Sequence, residues 1–298
     1  MSEIWGGIGW WRQLLVSMSV VVLIGCGLYP GVVRGGFYHV LRTGAQRLAE
    51  VQTRHYLVLE GEYFRVKFRE DAEIAAASLV LETAESIYTP VNQILQYQPT
   101  HKVLIIMYPT EADLARCFGW PADQSALGVY WAGTVRVLSP HAWAVTETGK
   151  LDVHQFQRRG PMAHEYTHYV IDQMTAGNYP RWFTEGMAQW VEAELTDFTL
   201  ENPFREEKTK ENFAARLYPL AQMDHQFDRL PDQLLAYWES WMAIKFIQAE
   251  FGTEYLSALV TELSQGHNLE YVLQQVLAMD LGQFDGKFRE WAATQVEK

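Results

Sequence analysis

The longest apolar run of the chain is QLLVSMSVVVLIGCGLYPGVV, at residues 13–33. It contains no charged residue and lies between Arg12 and Arg34. A helix needs about 20 apolar residues to cross the hydrocarbon core of a bilayer, so this run is long enough to span it. Trp10 lies where interfacial aromatic residues are common. The pattern predicts a membrane anchor or signal segment within residues 1–34.

After this run, apolar residues recur every two positions, as in strands, or every three to four, as in helices. Residues 35–55 are predicted to form a helical or irregular stalk. The elements predicted after the stalk are a strand at 56–68, a helix at 71–96, a strand at 101–108, a short helix at 110–118 and a hairpin or edge strand at 128–138. This part of the chain is therefore expected to form a small mixed α/β half.

The rest of the chain has mostly helical periodicity, interrupted by glycine and proline. Helices are predicted at 160–177, 180–193, 231–251, 254–264, 269–279 and 281–295. The expected fold class is α+β, with the mixed half followed by a helical half and residues 56–298 forming one domain.

Composition is consistent with a compact domain and excludes one class of partner. Of the 298 residues, 48% are hydrophobic and 13% aromatic, which is enough for a sizeable core. The formal net charge is −12, and no basic cluster is present to bind phosphates, so nucleic acid is not an expected partner. Cys26 and Cys117 lie in different regions and predict neither a disulfide framework nor a cysteine metal site.

The strongest chemical signal is His-Glu-Tyr-Thr-His at residues 164–168. On a helix, His164 and His168 are one turn apart and point to the same side, where they can bind one zinc ion. Glu185, on the next predicted helix, can supply the third ligand and leave the fourth position to water. Glu165 neighbours the first histidine without occupying the metal, which is the position of a general base.

One further carboxylate is a candidate partner of the metal ligands. Asp172 lies one turn beyond His168 and could accept the outward N–H of a ligand histidine. Such contacts fix the tautomer and orientation of the ring. We therefore predict a supporting role for Asp172.

These residues carry a family resemblance. The His-Glu-x-x-His motif, with Glu185 inside a Trp-x-x-Glu-Gly-x-Ala pattern that begins at Trp182, resembles the gluzincin metallopeptidases, and most closely the short bacterial peptidase-MA-like domains. The specific match covers roughly residues 160–190, and a looser one extends from about 56 to the C-terminus.

The resemblance implies a zincin-like fold, Zn²⁺ as cofactor and a peptide or protein as substrate. It makes His164, His168 and Glu185 the zinc ligands and Glu165 the catalytic base. The chain departs from thermolysin-type enzymes four residues after the third ligand, where Gln189 replaces an aspartate. Support of the histidines from that position is therefore in question.

Peptide hydrolysis also needs a donor to the oxyanion, and Tyr237 is the candidate. It lies in Ala-Tyr-Trp-Glu-Ser at residues 236–240, which resembles an Ala-Tyr-x-x-Ser segment of the peptidase-MA-like domains. A core tyrosine is the alternative interpretation. His225 is the second candidate for this role, and simple exposure in a polar loop is its alternative.

The hairpin or edge strand at 128–138 is a candidate for substrate binding. In zincins an extended peptide pairs with the edge strand above the zinc. Tyr130, Ala132 and Thr134, or the alternate set of side chains, would then face the cleft; an ordinary strand remains an equal alternative.

Two modes of anchoring fit residues 13–33. Leu-Ile-Gly-Cys at 23–26 resembles a lipobox, in which Cys26 would be lipidated after cleavage. The apolar run continues past Cys26 to Val33, which favours an uncleaved single-pass anchor.

The orientation of the anchor has two opposing indications. More arginines follow the run than precede it, which places the following domain in the cytoplasm by the positive-inside rule. The family resemblance implies an extracytoplasmic domain, and this is the orientation that we expect at the cell membrane.

The sequence thus predicts a membrane-anchored zinc metallopeptidase. Two other classes remain open: a catalytically inactive zinc-binding interaction module on the membrane, and a helical scaffold without metal. Zinc content separates the last class from the others, and turnover that depends on Glu165 separates the first two.

Overall fold

The computed structural model describes residues 30–121, 124, 126–204, 213 and 216–295. The helices are α1 (Pro30–Gln52), α2 (Ile74–Leu95), α3 (Glu111–Phe118), α4 (Val153–Arg159), α5 (Met162–Thr175), α6 (Arg181–Thr196), α7 (Leu220–Gln226), α8 (Gln233–Glu250), α9 (Thr253–Ser264), α10 (Leu269–Leu277) and α11 (Leu281–Gln295). The strands are β1 (Leu57–Glu60), β2 (Phe64–Phe68), β3 (Val103–Tyr108), β4 (Gly128–Trp131) and β5 (Thr134–Leu138).

The strands form one mixed sheet in the order β1-β2-β3-β5-β4. The central pairs β2–β3 and β3–β5 are parallel, and the outer pairs β1–β2 and β4–β5 are antiparallel. All six residues of β3 are buried, because each face of this strand lies in an apolar cluster. β4 is an edge strand, and it joins β5 through a turn at Ala132 and Gly133, which both have positive φ. The mixed α/β fold and the predicted hairpin at 128–138 are therefore confirmed.

One predicted strand is in fact a hairpin. Residues 56–68 were expected to form a single strand, but the chain reverses at Gly61, whose N–H donates to the carbonyl of Phe64 at 2.9 Å. Glu85 on α2 accepts the N–H groups of Tyr63 and Phe64, both at 3.0 Å. Residues 60–62 are Glu-Gly-Glu, a polar break with a glycine, and the prediction of a single strand passed over this local turn signal.

The helical half packs on the sheet through α5. This helix contacts α2, β4 and β5 on one side and α6 on the other, and α6 packs along α8. Tyr166 on α5 is fully buried, and its hydroxyl donates to the Asn92 side chain on α2 at 3.1 Å. The histidine-bearing helix is therefore held between the sheet and the helical half.

Residues 30–52 form α1, which includes most of the predicted stalk and lies against the domain. Arg42 forms an ion pair with Asp172 on α5 at 2.9 Å, and the Gln46 amide donates to the Gly133 carbonyl at 2.9 Å. Glu50 pairs with Arg65 and Lys67 on β2. These contacts fix α1 to α5, to the β4–β5 turn and to the sheet.

The predicted anchor at 13–33 lies almost wholly outside the described residues. Among the described helices, none combines the length and apolarity needed to cross a membrane. Cys26 also lies outside the described residues, and Cys117 is an exposed free thiol.

Candidate metal centre

The structure brings His164, His168 and Glu185 together at the contact of α5 and α6. Their ligand atoms all lie within 4.8 Å of one another, and no other described residues form such a group of three. The two histidine Nε2 atoms are 3.1 Å apart, and the Glu185 Oε2 atom lies 3.3 Å from one and 3.4 Å from the other. Three donor atoms thus form a nearly equilateral triangle.

This triangle fits a zinc ion. Zinc–nitrogen and zinc–oxygen bonds are about 2.0–2.1 Å long, so neighbouring ligands of a tetrahedral site are about 3.3 Å apart. The spacing of the three donors agrees with that value. Two histidines and one glutamate also match the donor set of catalytic zinc sites, which leave one position open.

Each of the three side chains has a partner for its outward atom. The Nδ1 atom of His168 lies 2.8 Å from the Thr184 hydroxyl, and that of His164 lies 3.2 Å from Glu192 Oε2. Arg181 binds the other oxygen of Glu185, Oε1, at 2.5 Å. These outer contacts hold each side chain in one orientation, and they leave the three atoms of the triangle available to bind a metal.

The predicted role of Asp172 is wrong. Its carboxylate accepts from the hydroxyls of Tyr130 at 2.6 Å and Tyr179 at 3.2 Å, from Arg42 at 2.9 Å and from Tyr38. The histidines find their partners on α6 instead, because the outward side of each ring faces that helix. Asp172 links α1, β4 and α5 rather than supporting a metal ligand.

Charge in the centre favours a cation. Burial lowers the pKa of the His164 imidazole, but hydrogen bonds to Glu185 and Glu192 outweigh burial and raise that pKa well above its usual range. Burial raises the pKa of the Glu185 carboxyl, yet Arg181 and His168 outweigh it and hold that pKa well below its usual range. Buried carboxylates beside two imidazoles form an environment that stabilises added positive charge.

Glu165 lies beside the triangle at the edge strand. Its Oε2 atom accepts the N–H of Tyr130 on β4 at 2.5 Å. Burial, together with the nearby charge of Glu185, raises the pKa of the Glu165 carboxyl, although both histidines act to lower it. β4 approaches this closely because residue 128 is glycine: a Cβ there would lie 2.8 Å from Glu165 Cγ.

Tyr237 faces the same cleft as Glu165 and Glu185. The negative charge of Glu185 and burial raise the pKa of the Tyr237 phenol, so the hydroxyl keeps its proton at neutral pH. His225 does not share this position: it is 80% exposed and pairs with Asp224 at 3.7 Å. It is not among the residues that line the cleft, so Tyr237 is the better placed of the two candidates.

A close approach of α6 and α8 sets the position of Tyr237 relative to Glu185. A Cβ added to Gly186 would lie only 2.2 Å from the carbonyl oxygen of Ser240, so this contact requires glycine. Gly186 follows Glu185 directly, and Ser240 is about one turn after Tyr237. The Glu-Gly and Tyr-x-x-Ser segments of the sequence thus meet at one helix crossing.

The cleft above the triangle has a volume of about 860 Å³. Its walls come from α1, β4, α5, α6 and α8. Tyr130 and Ala132 of the predicted substrate-binding set line it, whereas Thr134 is fully buried and does not.

Sequence reasoning missed several residues of this site. Arg181, Thr184 and Glu192 were not singled out, although the first is four residues before Glu185 and the last seven after it. Those intervals place both on the Glu185 face of α6. The wall formed by α1 has no comparable signal, because it depends on contacts distant in sequence.

The two paired helices, the triangle of donors and the edge strand are those expected of a gluzincin-like peptidase domain. The family model of the Peptidase MA superfamily matches residues 97–294, about two thirds of the chain, and the chain belongs to this superfamily. The match runs from just before β3 to the end of α11. No curated protein matches the chain.

Proposed function

We propose that this protein is a membrane-anchored, zinc-dependent metallopeptidase of the gluzincin type. The observation that carries the proposal is the spacing of 3.1–3.4 Å among three donor atoms of His164, His168 and Glu185. These three residues would hold the ion. The membership of the chain in the Peptidase MA superfamily supports the same assignment.

Zinc bound there would supply Lewis acidity, polarising a peptide carbonyl and making water a stronger acid. Glu165 is the general base: its carboxylate takes a proton from the attacking water and passes it to the leaving amine. The Tyr130 N–H holds one oxygen of this carboxylate and orients the other.

Tyr237 is the donor to the oxyanion. A phenol that stays protonated offers one hydrogen bond where negative charge develops. Arg181 acts on the other side of Glu185, where it holds the carboxylate in one orientation.

The substrate is an extended peptide that pairs with β4. This strand has a partner on one side only, and it lines the cleft beside Glu165. Pairing with an edge strand binds the peptide through its backbone, while side-chain preference depends on the cleft walls.

Residues 13–33 anchor the protein in the cell membrane as one uncleaved span, with the peptidase domain on the extracytoplasmic side. Lipidation at Cys26 is the alternative mode. The span length and the absence of charge support the anchor.

The test compares wild type, Glu165→Gln and His168→Ala for zinc content and for cleavage of a mixed peptide library. Glu165→Gln is expected to keep zinc and to lose about 10²–10⁴-fold in rate, because the base is removed and the ligands are not. His168→Ala is expected to lose both. Full zinc with no turnover in the wild type would identify the inactive zinc-binding module, and a wild type without zinc would overturn the metal centre.

A further inference from the structure

One face of α1 is apolar and exposed. The five side chains that form it are 54–67% exposed, and they are Phe37, Val40, Leu41, Leu48 and Val51. At 100° per residue they fall within a stripe about 100° wide. The opposite face carries Tyr38, Arg42 and Ala49, which lie against the domain. α1 thus has one face that packs against the domain and one apolar face that no described residue covers.

Basic residues flank this apolar stripe. Arg34, Arg47 and Arg54 are exposed at and around α1, and none of them pairs with an acidic group among the described residues. They stand out in a chain whose net charge is −12. An apolar stripe bordered by arginines is the pattern of a helix that lies in the interface of an anionic membrane.

The apolar run at 13–33 includes the first turn of α1, which begins at Pro30. Pro30 is the first residue of α1, a position that proline favours because the N–H it lacks would have no partner in the first turn of a helix. If the run spans the bilayer, α1 begins at its surface.

We infer that α1 lies along the membrane surface, with the stripe in the lipid interface and the arginines among the headgroups. This inference rests on the proposed anchoring of residues 13–33. The domain contacts of α1 through Arg42, Gln46 and Glu50 then fix the orientation of the whole peptidase domain on the membrane.

A second copy of the chain is a weaker candidate for covering the stripe. Phe37, Leu41, Leu48 and Val51 do follow a spacing of three and four, but the position between them is Gly44. The pattern covers only two heptads, whereas a coiled coil usually needs three or four. The flanking arginines also have no acidic counterpart on the same face.

The orientation has a consequence for the substrate. Leu41 belongs to the stripe and also lines the cleft, so the cleft opens beside the membrane-facing side of α1. Substrates of the proposed peptidase are then peptide segments close to the bilayer surface.

The test uses the full-length protein in vesicles of phosphatidylcholine and phosphatidylglycerol. Nitroxide labels are placed singly by Phe37→Cys, Val40→Cys and Leu48→Cys in a Cys26→Ser, Cys117→Ser background. His39→Cys, at an exposed position on the side of α1 away from the stripe, and Glu250→Cys, on the surface of α8, are the controls. At the stripe positions, collisions with lipid-soluble oxygen are expected to exceed those with an aqueous nickel chelate, and the reverse is expected at both controls.

Stripe labels as accessible to nickel as the His39 label would overturn the inference. So would labels shielded from both reagents with spin–spin broadening that unlabelled protein removes, since that result identifies a second copy. Flotation of the vesicles reports anchoring separately, and zinc content reports the metal centre. If the protein floats but its stripe labels are accessible to nickel, the inference about α1 is wrong and the anchor stands. If the protein does not float, the anchor is wrong as well.

Discussion

The Nδ1 atom of His164 lies 3.2 Å from the Glu192 carboxylate, seven residues beyond Glu185 on α6. The Gln189 amide lies at the same distance from that nitrogen. A histidine that binds a metal through Nε2 carries its proton on Nδ1 and needs an acceptor there, which a carboxylate always supplies. Position 189 offers no carboxylate to His164, and Glu192, one turn later on α6, supplies one instead.

Glu192→Gln is therefore expected to weaken zinc binding by about 10–100-fold, the usual effect of losing such a partner. The measurement is a zinc affinity by competition with a chelator. Glu194→Gln, an exposed residue of the same helix, is the matched control and should change nothing. Equal affinities of Glu192→Gln and wild type would show that His164 does not depend on this contact.

Tyr237→Phe removes the proposed hydrogen bond to the oxyanion and keeps the ring. The expected result is a fall of about 10²-fold in kcat with unchanged zinc content and a smaller change in KM. Tyr271→Phe, a partly exposed residue of α10, controls for loss of a phenol elsewhere. A kcat that stays at the wild-type value would show that Tyr237 lines the cleft without stabilising the oxyanion.

Gly186→Ala is expected to destabilise the fold and to weaken zinc binding together. The new Cβ would stand 2.2 Å from the Ser240 carbonyl, and because both are backbone-fixed, α6 and α8 must move apart. Overpacking of this kind costs about 1–3 kcal/mol in the free energy of unfolding. Urea denaturation measures the cost.

The matched control is Gly286→Ala on α11, where an added Cβ meets nothing within 4 Å. Alanine there should leave stability unchanged or raise it by up to about 1 kcal/mol, since alanine favours a helix over glycine. Equal effects of the two substitutions would contradict a close contact at Gly186.

Glu239, in α8, predicts a dependence of stability on pH. Burial raises the pKa of its carboxyl to about 8, although one oxygen accepts the Tyr218 N–H at 2.9 Å. Unfolded glutamate titrates near pH 4.3, so between about pH 4.3 and 8 the folded state binds a proton that the unfolded chain releases. Stability from this group is therefore present at low pH and is lost as pH rises to about 8.

Glu239→Gln should remove this dependence. The free energy of unfolding of the variant, relative to wild type, is expected to increase from pH 5 to pH 8, as followed by urea denaturation at each pH. Glu250→Gln, an exposed position of the same helix, should show no such trend. A constant difference across this range would mean that Glu239 is ionised throughout.

Local features of the sequence predicted helix α5 and the candidate site residues on it. His164, Glu165 and His168 are linked by helical spacing, and a helix fixes which side chains share a face. The helices from α8 to α11 also follow from periodicity and lie close to their predicted bounds. These features could be predicted because they depend on neighbours within a few residues. The membrane anchor has the same local origin, but it lies outside the described residues and stays a prediction.

Only the tertiary structure decided which residues support the ligands. Asp172 and Glu192 are equally plausible partners by helical spacing. The packing of α5 against α6 brings Glu192 to His164 and leaves Asp172 to Arg42 and three tyrosines. The contribution of α1 to the cleft was hidden for the same reason. Which faces meet is settled by contacts across the whole chain, and periodicity along one segment carries no information about the element that will cover it.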